Sequence, residues 1–458
     1  MKDRYSARVM RASAILIGSL LALPVWAGLT LPAVLSDHMV LQRDRPAPIW
    51  GTADPGAEIT VTFADQTKTT RADGSGNWAL KLDSMPASTQ SRRMSIRTDS
   101  APEQVREIDD ILVGEVWVGS GQSNMDLPVQ FYVKQDAALD AAAENAYPQV
   151  RLLRSRDRAW SLSVPLSNRN FSALLFAFGL RLQEALSVPI GLLEGAVGGT
   201  PSGFWLSQEA YQAAQPAITA ALAVAEQTFD VGQHQRQTDD LQAIWEKAKA
   251  KAVQEGARTP REPPHPLRPG EARGKVGHLF ETHIRPFMPY AIRGVLWDQG
   301  ENGTGVGGVD QVTMMGALIA GWRREWGQGD FPFVYVQKPS GGGCALDPAD
   351  PLTRQASALA PLPALVPANG EYRELHLRIM QNTNTAMVSC SDLGASIHPV
   401  CKTAYGARAA RVALGLVYGA KLEFYGPTYR SHTIQGRQVR LHFDHVGQGL
   451  TAGPLGTT

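Results

Sequence analysis

Residues 111–126 read ILVGEVWVGSGQSNMD, an apolar run that stops at a glycine and turns at once into Gly121-Gln122-Ser123-Asn124. A continuous apolar run of this length, with valine and isoleucine in it, predicts a strand buried on both faces, as in a parallel sheet. A hydroxyl set just past the end of such a strand, among small residues that let the chain turn sharply, is where many hydrolases hold a nucleophile. An ordinary strand-to-helix turn with Ser123 as a cap fits the same letters, and the full G-x-S-x-G pattern is broken by Met125. Four further apolar runs follow: VPIGLLEGAVGGT, AIRGVLWDQGE, FPFVYVQ and TAMVSCSDLG. Helical periodicity intervenes at residues 171–187 and 402–419, so strands alternate with helices and a mostly parallel sheet covered on both faces is expected. Functional loops then belong at the carboxyl ends of the strands. The turns GQSNM, GGT, QGEN and SIHP all fall there.

Upstream the texture differs. Residues 28–110 hold short β-like runs broken by Asp54-Pro55-Gly56 and Asp73-Gly74, which predicts an N-terminal β-sandwich domain. Residues 1–27 carry Lys2, Arg4, Arg8 and Arg11, then ASAILIGSLLALPV, then Trp26-Ala27, the order of a signal peptide cleaved after Ala27. An exported protein, secreted or periplasmic, is the expectation. Residues 209–275 form a polar, helix-prone insertion ending in the proline-rich TPREPPHPLRPG, either a lid or a peripheral excursion. A short C-terminal β segment occupies residues 421–458, leaving 111–420 as the main domain.

With 458 residues, 43% hydrophobic and 19% charged, the chain can bury a large core. A net charge of +1 without a basic block argues against nucleic acid or an anionic membrane as the main partner. No spacing of histidines or cysteines suggests a metal site, and no dinucleotide fingerprint is present. Three cysteines, Cys344, Cys390 and Cys401, allow at most one disulfide. Cys390 and Cys401 bracket the His398 loop, and a bridge between them would restrain it; Cys344 is the other partner to consider for Cys390.

A nucleophilic serine needs a base and donors for the developing oxyanion. His398, in a loop before a helix near the C-terminus, is the candidate base; Gly199 can bring a backbone N–H close to a ligand; Gln299 supplies an amide donor. The strings GQSNM, VPIGLLEGAVGGTPSGFW, PYAIRGVLWDQGEN and DLGASIHPVCKTAYGARAA, together with LSDHMVLQRDRPAPIWGTADPG upstream, resemble the sialate O-acetylesterase-like branch of the SGNH hydrolases over about residues 31–450.

The resemblance implies a three-layer α/β/α hydrolase domain and a serine esterase that removes O-acetyl groups from carbohydrates through an acyl-enzyme, with no cofactor. It makes Ser123 the nucleophile and His398 the general base. The N–H groups of Ser123 and Gly199 and the Gln299 amide would form the oxyanion hole. Acetylated hemicellulose (xylan or xyloglucan) and O-acetylated sialic acid are the two substrate classes, the string WDQGENGTG slightly favouring the polysaccharide. Three departures stand out: relatives commonly continue past this chain's last residue with more β structure, so a truncated or naturally short C-terminal segment is the expectation, and two motifs differ. The family's DIHP is SIHP here, with Ser396 in place of the aspartate, and its QGESN is QGENG. The triad acid is therefore open: Asp392 first, Glu301 second, a backbone carbonyl near Ser396 third. A relative that binds glycan without cleaving it is the alternative.

Overall fold

The computed structural model describes residues 28–100, 102–299, 302–337, 369–390, 393, 397–447 and 449–450. The apolar run quoted above is the second half of one 17-residue strand, Val105–Gly121, in which every residue from Ile111 onward is buried. Strand Ile190–Ala196 pairs with it in parallel on one side and Gly294–Asp298 on the other. Outward from these lie Tyr147–Arg154 on the first side, then Phe333–Val336 and Thr385–Val388 on the second, all parallel, with Ser161–Ser163 as an antiparallel edge.

Because successive side chains point to opposite faces, each strand feeds two cores. Trp117, Leu152, Leu192, Leu296, Val334 and Ala386 pack on one face, with helices Ala173–Leu186 and Lys402–Tyr418. Val116, Val118, Leu153, Leu193, Val295 and Trp297 pack on the other, with Met314, Leu318 and Trp322 of helix Gln311–Trp326. Helices thus cover both faces, as the alternation of runs predicts. The first pair approaches closely because position 406 is glycine: a Cβ there would lie 2.5 Å from that of Ala177.

The N-terminal region forms strands as expected, but it does not end at residue 110. Ser88–Thr98 pairs antiparallel with the first half of the long strand, and Val40–Gln42 pairs in parallel at Leu112–Gly114. Glu58–Phe63 and Gln66–Arg71 extend that sheet, while Ala47–Thr52 and Asn77–Leu82 pair separately. The chain bends at the expected boundary without breaking. Asp110 has φ 54°, and its carboxylate accepts from Arg151 Nη2 at 2.9 Å and lies 2.8 Å from His38 Nδ1. The apolar cluster of this region runs continuously into the sheet face beneath Val116 and Val118.

The junction is also tied by charge. Glu115 is fully buried, and its carboxylate accepts from Gln42 Nε2 at 3.0 Å, from Arg293 Nε at 2.7 Å and from Arg43. Arg43 follows a strand of the N-terminal region, whereas Arg293 opens a strand of the main sheet, so one carboxylate clamps both.

The insertion forms helices Gln208–Ala213, Gln215–Thr228 and Val231–Gln254, the last almost wholly exposed. The C-terminal segment is a hairpin, Thr428–Gln435 with Gln438–Asp444. No helix among the described residues is long and apolar enough to cross a membrane. Residues 1–27, where a signal peptide is expected, lie outside the described residues.

Arg293→Met tests the clamp. Removing one cation leaves a buried carboxylate undercompensated, and urea unfolding should show a loss approaching about 3 kcal/mol. A loss within about 0.5 kcal/mol, the range of ordinary surface substitutions, would mark the clamp as inessential.

Candidate active site

The three central strands finish level. Gly121 is in register with both Ala196 and Asp298, so the loops after these strands emerge side by side. Gly121 has φ 122°, and a Cβ there would fall 1.9 Å from the Asp298 carbonyl oxygen, so only glycine fits. That oxygen accepts from Gln122 N–H at 2.8 Å. The chain then enters a single helical turn, Ser123–Asp126, which lifts Ser123 to the surface and keeps Asn124 and Met125 buried.

His398 comes from the opposite end of the sequence, in the loop between strand Thr385–Val388 and helix Lys402–Tyr418. Its Nε2 lies 2.8 Å from Ser123 Oγ, the contact a nucleophile and its base require. Burial holds the imidazole below its ordinary value, and the Lys402 ammonium adds to that.

The turn after Ile190–Ala196 closes the other side. Gly198 lies against the serine, where a Cβ would come within 3.5 Å of that of Ser123, and its N–H donates to Asp126 Oδ2 at 2.9 Å. Gly199 has φ 75° and is exposed. Among the described residues neither its N–H nor that of Ser123 meets an acceptor. Two uncommitted donors thus flank the hydroxyl.

Gln299 departs from expectation. It is buried, and its Nε2 donates to the carbonyls of Thr200 at 3.0 Å and Gly303 at 3.2 Å, which ties the second and third loops together. With both amide hydrogens committed to backbone, it braces the loops and has none left for an oxyanion in this geometry. Asn302 donates instead to Gln122 Oε1 at 2.8 Å. Asp392, Glu301 and Ser396, which bear on the triad acid, lie outside the described residues, as does Cys344. The bridge considered between Cys390 and Cys401 is not formed; both side chains are buried in the apolar cluster of one sheet face.

A buried polar layer that sequence reasoning missed lies beneath the serine. Asp298 accepts from Tyr405 Oη at 2.7 Å, and burial raises its carboxyl to about 6 although Tyr405 and the Lys402 charge oppose the shift. Lys402 donates to Asn124 Oδ1 at 2.6 Å. Nearby Glu194, at the end of its strand, is raised to about 8 by burial, opposed by the Ala196 N–H and by Arg156. The signals were present only as oddities: a lysine opening a small-residue helix, an aspartate and a glutamate ending apolar strands.

Comparison with known proteins finds relatives in sequence and in fold. No family model matches the sequence. The sialate O-acetylesterase of Rattus norvegicus is 28% identical over 349 residues, covering 68% of this chain and 60% of the rat protein. The Homo sapiens sialate O-acetylesterase is 26% identical over 370 residues, 72% of this chain and 62% of its own. The chain thus spans about three fifths of the length of the curated relatives it matches. A carbohydrate acetylesterase from Xanthomonas citri shares the fold with TM-score 0.66 and 24% identity, over 91% of this chain and 81% of that one.

Ser123→Ala and His398→Ala should each remove nearly all activity on 4-nitrophenyl acetate, the double variant being little worse than the poorer single. A multiplicative double loss would show that the two do not act as a unit. The depressed imidazole has a second consequence. A general base works when neutral, so the acidic limb of kcat/KM should lie below about 6.5, the ordinary histidine value. A limb above that value would contradict the burial argument. For Glu194 the sign is opposite to that of a paired carboxylate. Its folded value exceeds the unfolded one, so the stability it contributes is complete below about 4.5 and is lost as pH rises through about 8. Glu194→Gln should therefore raise Tm relative to wild type more at alkaline than at acid pH.

Proposed function

We propose that this chain, which is sialate O-acetylesterase-like, is an exported serine esterase that removes O-acetyl groups from carbohydrates through an acyl-enzyme. The observation that carries the reading is the 2.8 Å contact of Ser123 Oγ with His398 Nε2, flanked by the two uncommitted N–H groups. His398 takes the serine proton as Oγ attacks the acetyl carbonyl. The N–H groups of Ser123 and Gly199 receive the oxyanion, each such donor being worth about 10²–10³ in kcat where it has been removed. His398 then returns the proton to the departing sugar oxygen, and water enters by the reverse sequence to release acetate.

The fold class that goes with this reading is the three-layer α/β/α SGNH-type domain with an N-terminal β-sandwich. The rim of the site suits a sugar. Phe131, 51% exposed, stands edge-on to the His398 ring with centroids 6.3 Å apart, and Ile397 is 50% exposed beside it. An apolar ledge at the mouth of a polar site matches the C–H face of a pyranose carrying the ester. Acetylated xylan or xyloglucan is the preferred substrate class and O-acetylated sialic acid the second.

Acetate release across a panel of acetylated xylan, xyloglucan and O-acetyl sialosides, with Ser123→Ala as control, tests the reading. Release by wild type alone is expected. Glycan binding with no release from any ester would instead identify a non-catalytic relative. Phe131→Ala should raise KM on the preferred glycan and leave hydrolysis of 4-nitrophenyl acetate nearly unchanged.

A further inference from the structure

Lys402 is fully buried, as is Asn124, and neither is explained by acyl transfer as described above. A buried ammonium is costly unless its charge and donors are met. Here they are met locally. Nζ donates to Asn124 Oδ1 at 2.6 Å and lies 4.3 Å from the ring centroid of Tyr405 and 5.0 Å from that of Tyr132. The Asp298 carboxylate, hydrogen-bonded by Tyr405, is close enough to feel the charge.

The consequence is for Asn124. An asparagine amide has one acceptor end and one donor end, and its orientation follows from its partners. An ammonium at the oxygen turns the NH2 the other way, where Nδ2 donates to the Ile397 carbonyl at 3.0 Å. Asn124 adjoins Ser123, Ile397 adjoins His398, and Lys402 opens the helix that follows the His398 loop. A single side chain therefore ties the nucleophile's turn to the base's loop across more than half the sequence, and a single cation sets which way that side chain faces.

We propose that Lys402 and Asn124 form a buried relay that holds Ser123 and His398 in register, both acting as positioning residues. This rests on the serine-esterase reading. Among the described residues the groups facing the ammonium include Asp298, Tyr132, Tyr405 and His398, so its charge also acts on the base, in the direction that disfavours the protonated imidazole.

The test uses the full chain with 4-nitrophenyl acetate and three variants, their fold checked by circular dichroism. Misplacement of reacting groups by an ångström costs up to about 10²-fold, so Asn124→Ala should lower kcat by roughly that factor with KM little changed. Asn124→Asp keeps the shape and the Lys402 contact but offers the Ile397 carbonyl no donor, and should fall alike. Lys402→Met should lower kcat and move the acidic limb of kcat/KM upward, because the cation opposing protonation of His398 is gone. The Asn124→Ala/Lys402→Met double should be little worse than the poorer single, the mark of a shared unit. Folded variants with kcat within about twofold of wild type, or a double loss equal to the product of the singles, would overturn the relay. Should Lys402→Met not fold, the near-isosteric Asn124→Asp decides alone. Ser123→Ala separates the two levels: if it retains activity, the esterase reading has failed, whereas if it is inactive and the relay variants are normal, only the relay has.

Discussion

The site depends on one close approach. At Gly121 the longest strand among the described residues passes within van der Waals distance of the Asp298 carbonyl, in a backbone conformation that other residues rarely adopt. The same carbonyl accepts the Gln122 N–H, and the Gly121 carbonyl in turn accepts from Val197 N–H at 3.2 Å. Three strand ends are thereby locked level, and the serine, the glycine turn and the Gln299 loop leave the sheet within reach of one another. Any side chain at position 121 would push the Asp298 strand away and part the loops that the site is assembled from.

Around that lock the protein arranges charge with care. Glu115 lies well below the site, between two arginines, and fastens the N-terminal strands to the sheet. Nearer the serine, Asp298 and Lys402 oppose each other in a layer closed by tyrosines, so that two ionisable groups are buried with little net charge between them. Burial, and after it the cation, lower the pKa of the imidazole above this layer and so disfavour its protonated form. The glycine turn faces it with unfilled donors. Such an arrangement is poised for charge that develops during reaction.

How much of this the sequence disclosed follows from the range of each interaction. The strands of the main sheet are buried on both faces, and their continuous apolar runs mark them without any knowledge of neighbours. Helix Ala173–Leu186 shows its period in the same way, whereas its Ser172 cap is seen only in the structure. Ser123 and His398 are legible because glycine-bounded turns at strand ends are local features and because their motifs resemble a family. The change of texture at residue 111 falls inside one continuous strand, Val105–Gly121, because a left-handed aspartate at 110 turns the chain without ending its pairing. Gln299 was assigned by its position in a motif, but its amide is claimed by Thr200 and Gly303, partners that no local pattern announces. Lys402 and Asn124 illustrate the same limit: each reads as an ordinary polar residue until the fold brings them together.

The central claim is that Ser123 is a nucleophile activated by His398. Treatment of the full chain with a fluorophosphonate, followed by peptide mass spectrometry, measures it most directly, since such reagents acquire a serine only where a base has activated its hydroxyl. The account predicts one adduct, on the peptide containing Ser123, and its loss in His398→Ala. An adduct on a different serine, or labelling of Ser123 undiminished in His398→Ala, would contradict it.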